Sequence, residues 1–187
     1  MTASTLILRD RTIEHERPAR PAMAEWLLAM GPVVHRLDYG GRVAAIGCGD
    51  TQAVALLAAA YPLAGLDVVA GDWAAHRAAD DVLRRLRARG RCEVEVGGAE
   101  VLAPATYDLV CFLHGLAELP DPVGAARAAL RAVRPDGALM VVEHTRSDAF
   151  FDGPVTVGTW LVRAGAARTR LAVSTPHGFV LDARPND

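Results

Sequence analysis

The sequence predicts an α/β fold, a doubly wound and mainly parallel sheet with helices on both faces. Three observations predict it. Short apolar runs alternate with segments of helical periodicity along most of the chain. The run at residues 43–46 stops at the turn Gly47-Cys48-Gly49 and passes into a helix beginning near Thr51. An acidic residue, Asp67, then closes the next apolar run. A strand, a glycine-rich turn, a helix, a second strand and a carboxylate suit an adenosine ribose, because glycine lets the backbone come close and the carboxylate accepts both ribose hydroxyls. The expectation is a nucleoside-cofactor site.

Each element follows in order. Residues 1–18 are polar apart from Leu6-Ile7-Leu8 and read as an arm, after which Pro21 opens a helix through Trp26 and Met30 to Gly31. A short apolar turn is expected around Val33-Val34. Residues 1–40 are therefore an arm with a flanking helix, and residues 41–187 a single domain. The run at 53–60 is apolar nearly all round, as expected of a helix covered by its neighbours, and Pro62 ends it. Residues 63–66 read as a second strand closing on Asp67. Residues 73–89 carry Ala75, Ala79, Leu83 and Leu86 at helical spacing, with Gly90 as the stop. Residues 92–96 are a third strand and 107–112 a fourth. Asp121-Pro122 start a helix through Ala125, Ala129 and Val133, and a turn at 134–137 leads to a fifth strand at 138–143. A helix at 154–164 and strands at 169–174 and 179–183 complete the chain, the last two paired as an antiparallel hairpin around Pro176-His177-Gly178. In such a sheet the ligand crevice lies at the C-terminal ends of the strands. Gly47, Asp67, Gly98, His114 and His144 all fall at expected strand ends.

Composition narrows the class. At 187 residues and 51% apolar the chain can bury one sizeable core. Net charge is −2, and all 20 basic residues are arginine, with no basic run longer than Arg84-Arg85. Nothing there suggests a nucleic-acid partner. Cys48, Cys92 and Cys111 match no zinc spacing and read as reduced core thiols, so no metal is expected. Arg9, Asp10, Arg11 and Glu14 stand where a signal peptide needs an apolar stretch, and no apolar run approaches about 18 residues. The expected location is cytoplasmic, away from membranes.

Six segments in order resemble the class I S-adenosylmethionine-dependent methyltransferases: VAAIGCGD, AGLD, VGGAEVL, TYDLVCFLHGLAELPDP, LRAVRPDGALMVVEH and the closing LVRAGAARTRLAVSTPHGFVLDARP. The resemblance covers residue 42 to the C-terminus. It implies a Rossmann-like sheet of order 3-2-1-4-5-7-6 with strand 7 antiparallel, and S-adenosyl-L-methionine as cofactor. It also implies that Gly47, Cys48 and Gly49 face the methionine and ribose portion, that Asp67 binds the ribose hydroxyls, that Ala99 and Glu100 lie by the adenine, and that Leu113 and His114 border the methyl-transfer side. The chain departs from the family pattern in three places. Ala45 stands where an acidic residue is usual, Thr51 where a third glycine is, and Gly98 where an aspartate often is. A nicotinamide dehydrogenase shares the early elements, but its fingerprint counted from Gly47 would need glycine at Gln52.

Methyl transfer from a sulfonium is an in-line displacement, so the protein mainly aligns the acceptor and excludes water. A base is needed where the acceptor is protonated, and imidazole is the natural one near neutrality. His114 and His144 are the candidate catalytic residues, with Glu143 beside His144; the alternative is that His144 caps a loop while His114 lines the cofactor. His15, His35, His76 and His177 read as surface residues. Trp26, Tyr39 and Trp160 are candidates to shape an acceptor pocket, and the arm with Phe150-Phe151 to close it, unless a second protomer of a homodimer completes it. The expected function is methyl transfer to a small-molecule acceptor, in secondary metabolism. The alternative is a methyltransferase fold turned to binding or to another reaction such as cyclisation.

Overall fold

The computed structural model describes residues 31–47, 51–144, 153–176 and 178–186. Expectations for Trp26, the helix from Pro21, Cys48, Gly49, Phe150-Phe151 and His177 lie outside the described residues. Seven strands, β1 (Arg42–Ile46), β2 (Gly65–Ala70), β3 (Cys92–Val96), β4 (Tyr107–Leu113), β5 (Val133–His144), β6 (Arg168–Ser174) and β7 (Gly178–Arg184), form one sheet of order β3-β2-β1-β4-β5-β7-β6. β7 runs antiparallel to both β5 and β6, and every other pairing is parallel. Order and strand directions are those implied by the resemblance.

The helices are α1 (Gly31–Asp38), α2 (Thr51–Ala60), α3 (Trp73–Arg85), α4 (Pro122–Ala132) and α5 (Gly153–Ala164). Alternation along the strands separates two cores. Val43, Ala45, Leu109, Cys111, Met140 and Val142 face a cluster with residues of α1, α2 and α3. Ala44, Ile46, Val110, Phe112, Leu139 and Val141 face one with α4 and α5. Cys92 and Cys111 are buried and form no disulfide with each other, and burial pushes the Cys111 thiol up, keeping it protonated. No helix among the described residues is long and apolar enough to cross a membrane.

Four local expectations are corrected. The turn at Val33-Val34 is helix α1, because Val33 and Leu37, one helical turn apart, are both fully buried. Helix α3 ends at Arg85, not 89: Arg87 takes the left-handed position (φ 55°), and the N–H groups of Arg87 and Ala88 close onto the carbonyls of Arg84 and Leu83. Strand β5 begins at Val133, which pairs with Tyr107 before residues 134–137 loop out and Ala138 rejoins opposite Leu109. Strand β2 does not close on Asp67. Tyr61 and Ala64 are still in the turn that ends α2, Leu63 is exposed, and the buried run Val68-Val69-Ala70 carries the strand on to Ala70.

Asp67 is therefore the third residue of β2, opposite Ala44 and Glu93. At ~3.3 Å per residue it sits about 10 Å short of the strand's end. Its Oδ2 accepts the Tyr107 hydroxyl at 2.7 Å and an Arg42 guanidinium N–H at 2.6 Å. Nearby, Asp108 is 1% exposed and accepts the Arg42 backbone N–H at 2.8 Å, with Arg36 and Arg134 each 3.2 Å away. These carboxylates tie β1, β2, β4, α1 and the 134–137 loop together at the N-terminal edge of the sheet. The Arg42 side chain is half exposed and its ion pair adds little, so the part-buried Tyr107 hydroxyl contact dominates at Asp67. Asp67→Ala should cost about 2 kcal/mol, read in thermal unfolding as a melting temperature several degrees lower. An unchanged melting temperature would show that Tyr107 gains nothing from the contact.

Candidate active site

At the opposite edge, β1, β2, β4 and β5 end side by side. Gly47 follows β1 with φ 79°, and its N–H donates to the Val69 carbonyl at 3.1 Å. A Cβ there would lie 2.7 Å from the His114 carbonyl oxygen, so only glycine fits between the ends of β1 and β4. His114 has φ 65° and donates its backbone N–H to the Val142 carbonyl at 2.9 Å. Its ring stacks on that of His144, with centroids 3.9 Å apart and planes 8° from parallel. The two imidazoles singled out from the sequence thus meet face to face. Burial, and then the neighbouring His144, lowers the His114 pKa to about 3, so His114 is neutral at physiological pH.

Glu143 precedes His144 and points to the other face of β5. It is 6% exposed and accepts the Ala117 N–H at 3.2 Å. Burial raises its pKa to about 7, against the opposing pull of the N–H groups of Ala117, Gly115 and Leu116. Leu113 is wholly buried in the first core, so it can border the edge only through its backbone; its carbonyl oxygen lies 3.8 Å from the position of a Cβ on Gly47. Ala99 is buried in the second core, at the start of the short turn Ala99–Val101. Glu100 folds back onto that turn and accepts the Gly98 N–H at 3.1 Å.

The carboxylate at this edge is Asp72, not Asp67. It follows β2 and Gly71, and its Oδ1 accepts the Ala75 N–H at 2.8 Å to cap α3. A Cβ on Gly71 or on Gly115 would meet no atom of the described residues within 4 Å, so neither position is covered by them. The signal was present in the sequence: an aspartate immediately before a helical period, after Gly71, is a helix start and marks the end of the preceding strand. Trp73, 65% exposed beside it, packs on His76 with ring centroids 5.3 Å apart. Tyr39 lies before β1, at the far edge from the imidazoles, against His35, and Trp160 packs onto the second core. Neither joins Gly47, Asp72, His114 and His144. Among the described residues no group of three or more His, Cys, Asp and Glu side chains is arranged to hold a metal ion.

Known proteins resemble the chain at both levels. A family model described as a methyltransferase domain matches residues 13–183. A ubiquinone biosynthesis O-methyltransferase of Xanthomonas campestris pv. campestris is 29% identical over 167 residues, covering 83% of this chain and 65% of that protein. The chain thus spans about two thirds of the length of that relative. Among solved structures, a SAM-dependent methyltransferase from Aquifex aeolicus superposes with a TM-score of 0.66 at 16% identity, over 92% of this chain and 97% of that one. The [4+2]-cyclase SpnF superposes with a TM-score of 0.64 at 17% identity, over 78% and 74%. Together with the strand order, the match across nearly the whole sequence means that the chain belongs to the class I S-adenosylmethionine-dependent methyltransferases.

Proposed function

We propose that this chain transfers a methyl group from S-adenosyl-L-methionine to an ionisable hydroxyl of a small-molecule acceptor, with secondary metabolism as the setting. The observation that carries this reading is the stacked His114–His144 pair beside the Gly47 turn, with the Asp72 carboxylate at the same edge of the sheet, two strands from His114. The residues present fit the cofactor, since no described residue covers Gly71 or Gly115 and Asp72 stands at that edge. When bound, the cofactor supplies a sulfonium methyl as the electrophile. Asp72 would hold the ribose hydroxyls with the oxygen not used in capping α3. Gly47, with Cys48 and Gly49, would hold the methionine portion, and Ala99 and Glu100 the adenine end.

His144 takes the acceptor's proton. His114 is disfavoured for that task by burial and by its neighbour, and its neutral ring stacks on the His144 imidazole and holds it in place. A hydroxyl acceptor agrees with the O-methyltransferase named among the relatives. Ala45, Thr51 and Gly98, together with the likeness to a cyclase, favour a second reading in which the pocket serves a reaction without methyl transfer. Product mass separates the two, because a cyclised product keeps the substrate's mass and a methylated one gains a methyl group.

Calorimetric titration with S-adenosylhomocysteine tests the cofactor assignment. The wild-type chain should bind at micromolar concentration. Asp72→Asn keeps the helix cap, asparagine being as good a cap as aspartate, and should weaken binding by about one to two powers of ten with little change in melting temperature. Asp67→Ala should leave the affinity unchanged; the reverse pattern would return the ribose to Asp67, and no binding at millimolar ligand would remove the cofactor. His144→Ala should lower turnover by about 10²- to 10⁴-fold while S-adenosylhomocysteine affinity stays within about twofold. Unchanged turnover would take His144 out of the mechanism.

A further inference from the structure

The backbone that presents His114 is held in an unusual shape. His114 (φ 65°) and Gly115 (φ 89°) are successive residues in the left-handed region, which costs a side-chain-bearing residue of order 1 kcal/mol. They lead into the single short turn Leu116–Glu118, whose Leu116 is fully buried. The carboxyl of Glu143 sits at this turn and accepts the Ala117 N–H at 3.2 Å, and the N–H groups of Gly115 and Leu116 also favour its charged form. Alternation along β5 sends Glu143 and His144 to opposite faces, so the residue that grips the His114 turn is covalently joined to the residue on which His114 stacks.

We propose that Glu143 is a positioning residue for the imidazole pair: its carboxyl holds the Ala117 N–H and thereby fixes the turn after His114 that lays its ring against His144. This rests on the reading of His144 as the proton acceptor and extends it to the support of that site. The charged group acting on the carboxyl is Glu118, on the same turn; β7 meets Glu143 with Phe179, and β4 ends in the buried Leu113. The two imidazoles lie one residue away on either strand. Because burial lifts the carboxyl to about 7, its ionisation falls where it can be followed in the folded protein.

The experiment is a pH titration of the apo full-length chain by NMR, following the histidine ring resonances and the amides of residues 115–117, for wild type, Glu143→Gln and Glu143→Ala. In wild type the Ala117 amide should titrate with a midpoint near 7. Glu143→Gln keeps an acceptor oxygen and cannot ionise, so the inflection should vanish while the mutual ring shifts of His114 and His144 persist. Glu143→Ala should abolish those ring shifts and let His114 titrate towards its ordinary value. Stability gives a second measure. The folded pKa lies above the ordinary 4.5, so this group's contribution is fully present below about 4.5 and lost as pH rises through 7. The melting temperature of wild type should therefore fall from pH 5 to pH 8 relative to Glu143→Gln. If Glu143→Ala folds and leaves both histidines unchanged, or if Glu143→Gln retains the Ala117 inflection, the proposal is overturned; should the alanine variant fail to fold, the glutamine variant alone decides. None of these readouts needs cofactor or turnover. Absent S-adenosylhomocysteine binding with these titrations intact would defeat the methyl-transfer reading and leave the positioning of His114 standing.

Discussion

The contact on which the rest of the site depends is the approach of Gly47 to the carbonyl of His114. A Cβ at position 47 would sit 2.7 Å from that oxygen, far inside any allowed contact. Because Gly47 also donates to Val69 and His114 donates to Val142, this junction links the ends of β2, β1, β4 and β5. Any larger residue at 47 would have to push β4 away from β1, and with it the ring that stacks on His144. The parallel pairing of β1 with β4 is thus more than scaffolding. It sets how close two loops can come, and so where an imidazole pair can stand.

The two edges of the sheet hold different ionisable groups. At the N-terminal edge, carboxylates meet arginines, a hydroxyl and a backbone N–H: buried Asp108 has Arg36, Arg134 and the Arg42 amide, and half-buried Asp67 has Arg42 and Tyr107. Charge is satisfied there, and the edge behaves as a clasp. At the C-terminal edge, His114 is lowered to about 3 and Glu143 raised to about 7, in both cases mainly by burial. Both shifts favour the neutral form. Burial there holds His114 neutral and brings Glu143 to titrate near neutrality, and shifts of this kind are commoner at functional sites than in folds held only by packing.

Much of this was legible in the sequence because it rests on local chemistry. The seven strands, their order, the turn at Gly47 and the convergence of His114 and His144 follow from apolar runs, glycines and the family resemblance. The ends of β2 did not. A strand buried on both faces reads as a continuous apolar run with no alternation to mark its limits, and the acid at position 67 looked like a terminus. In the fold, Asp67 is tolerated inside the strand because Tyr107 and Arg42, distant in sequence, satisfy it. That pairing depends on the register of three strands, which no local pattern encodes. The stacking of His114 was equally invisible, since it needs a non-glycine residue at φ 65°, a conformation set by contacts made elsewhere.

The same contacts bear on the three departures from the family pattern. Ala45 is fully buried in the first core, opposite Val68 and Cys111, so an acidic side chain at this position would have to leave an apolar cluster to reach the crevice. Alanine completes the packing and removes that desolvation cost. Glu100 offers little in place of an acid at Gly98. Its Oε1 already accepts the Gly98 N–H, so turning towards an adenine amine exchanges one hydrogen bond for another with small net gain. Asp72 differs from both. One oxygen caps α3, yet a carboxylate has about four acceptor sites, so the proposed reading leaves the second oxygen for the ribose. On the proposed reading, charged recognition of the cofactor therefore rests mainly on one side chain, and that side chain is fixed in place by the helix it starts.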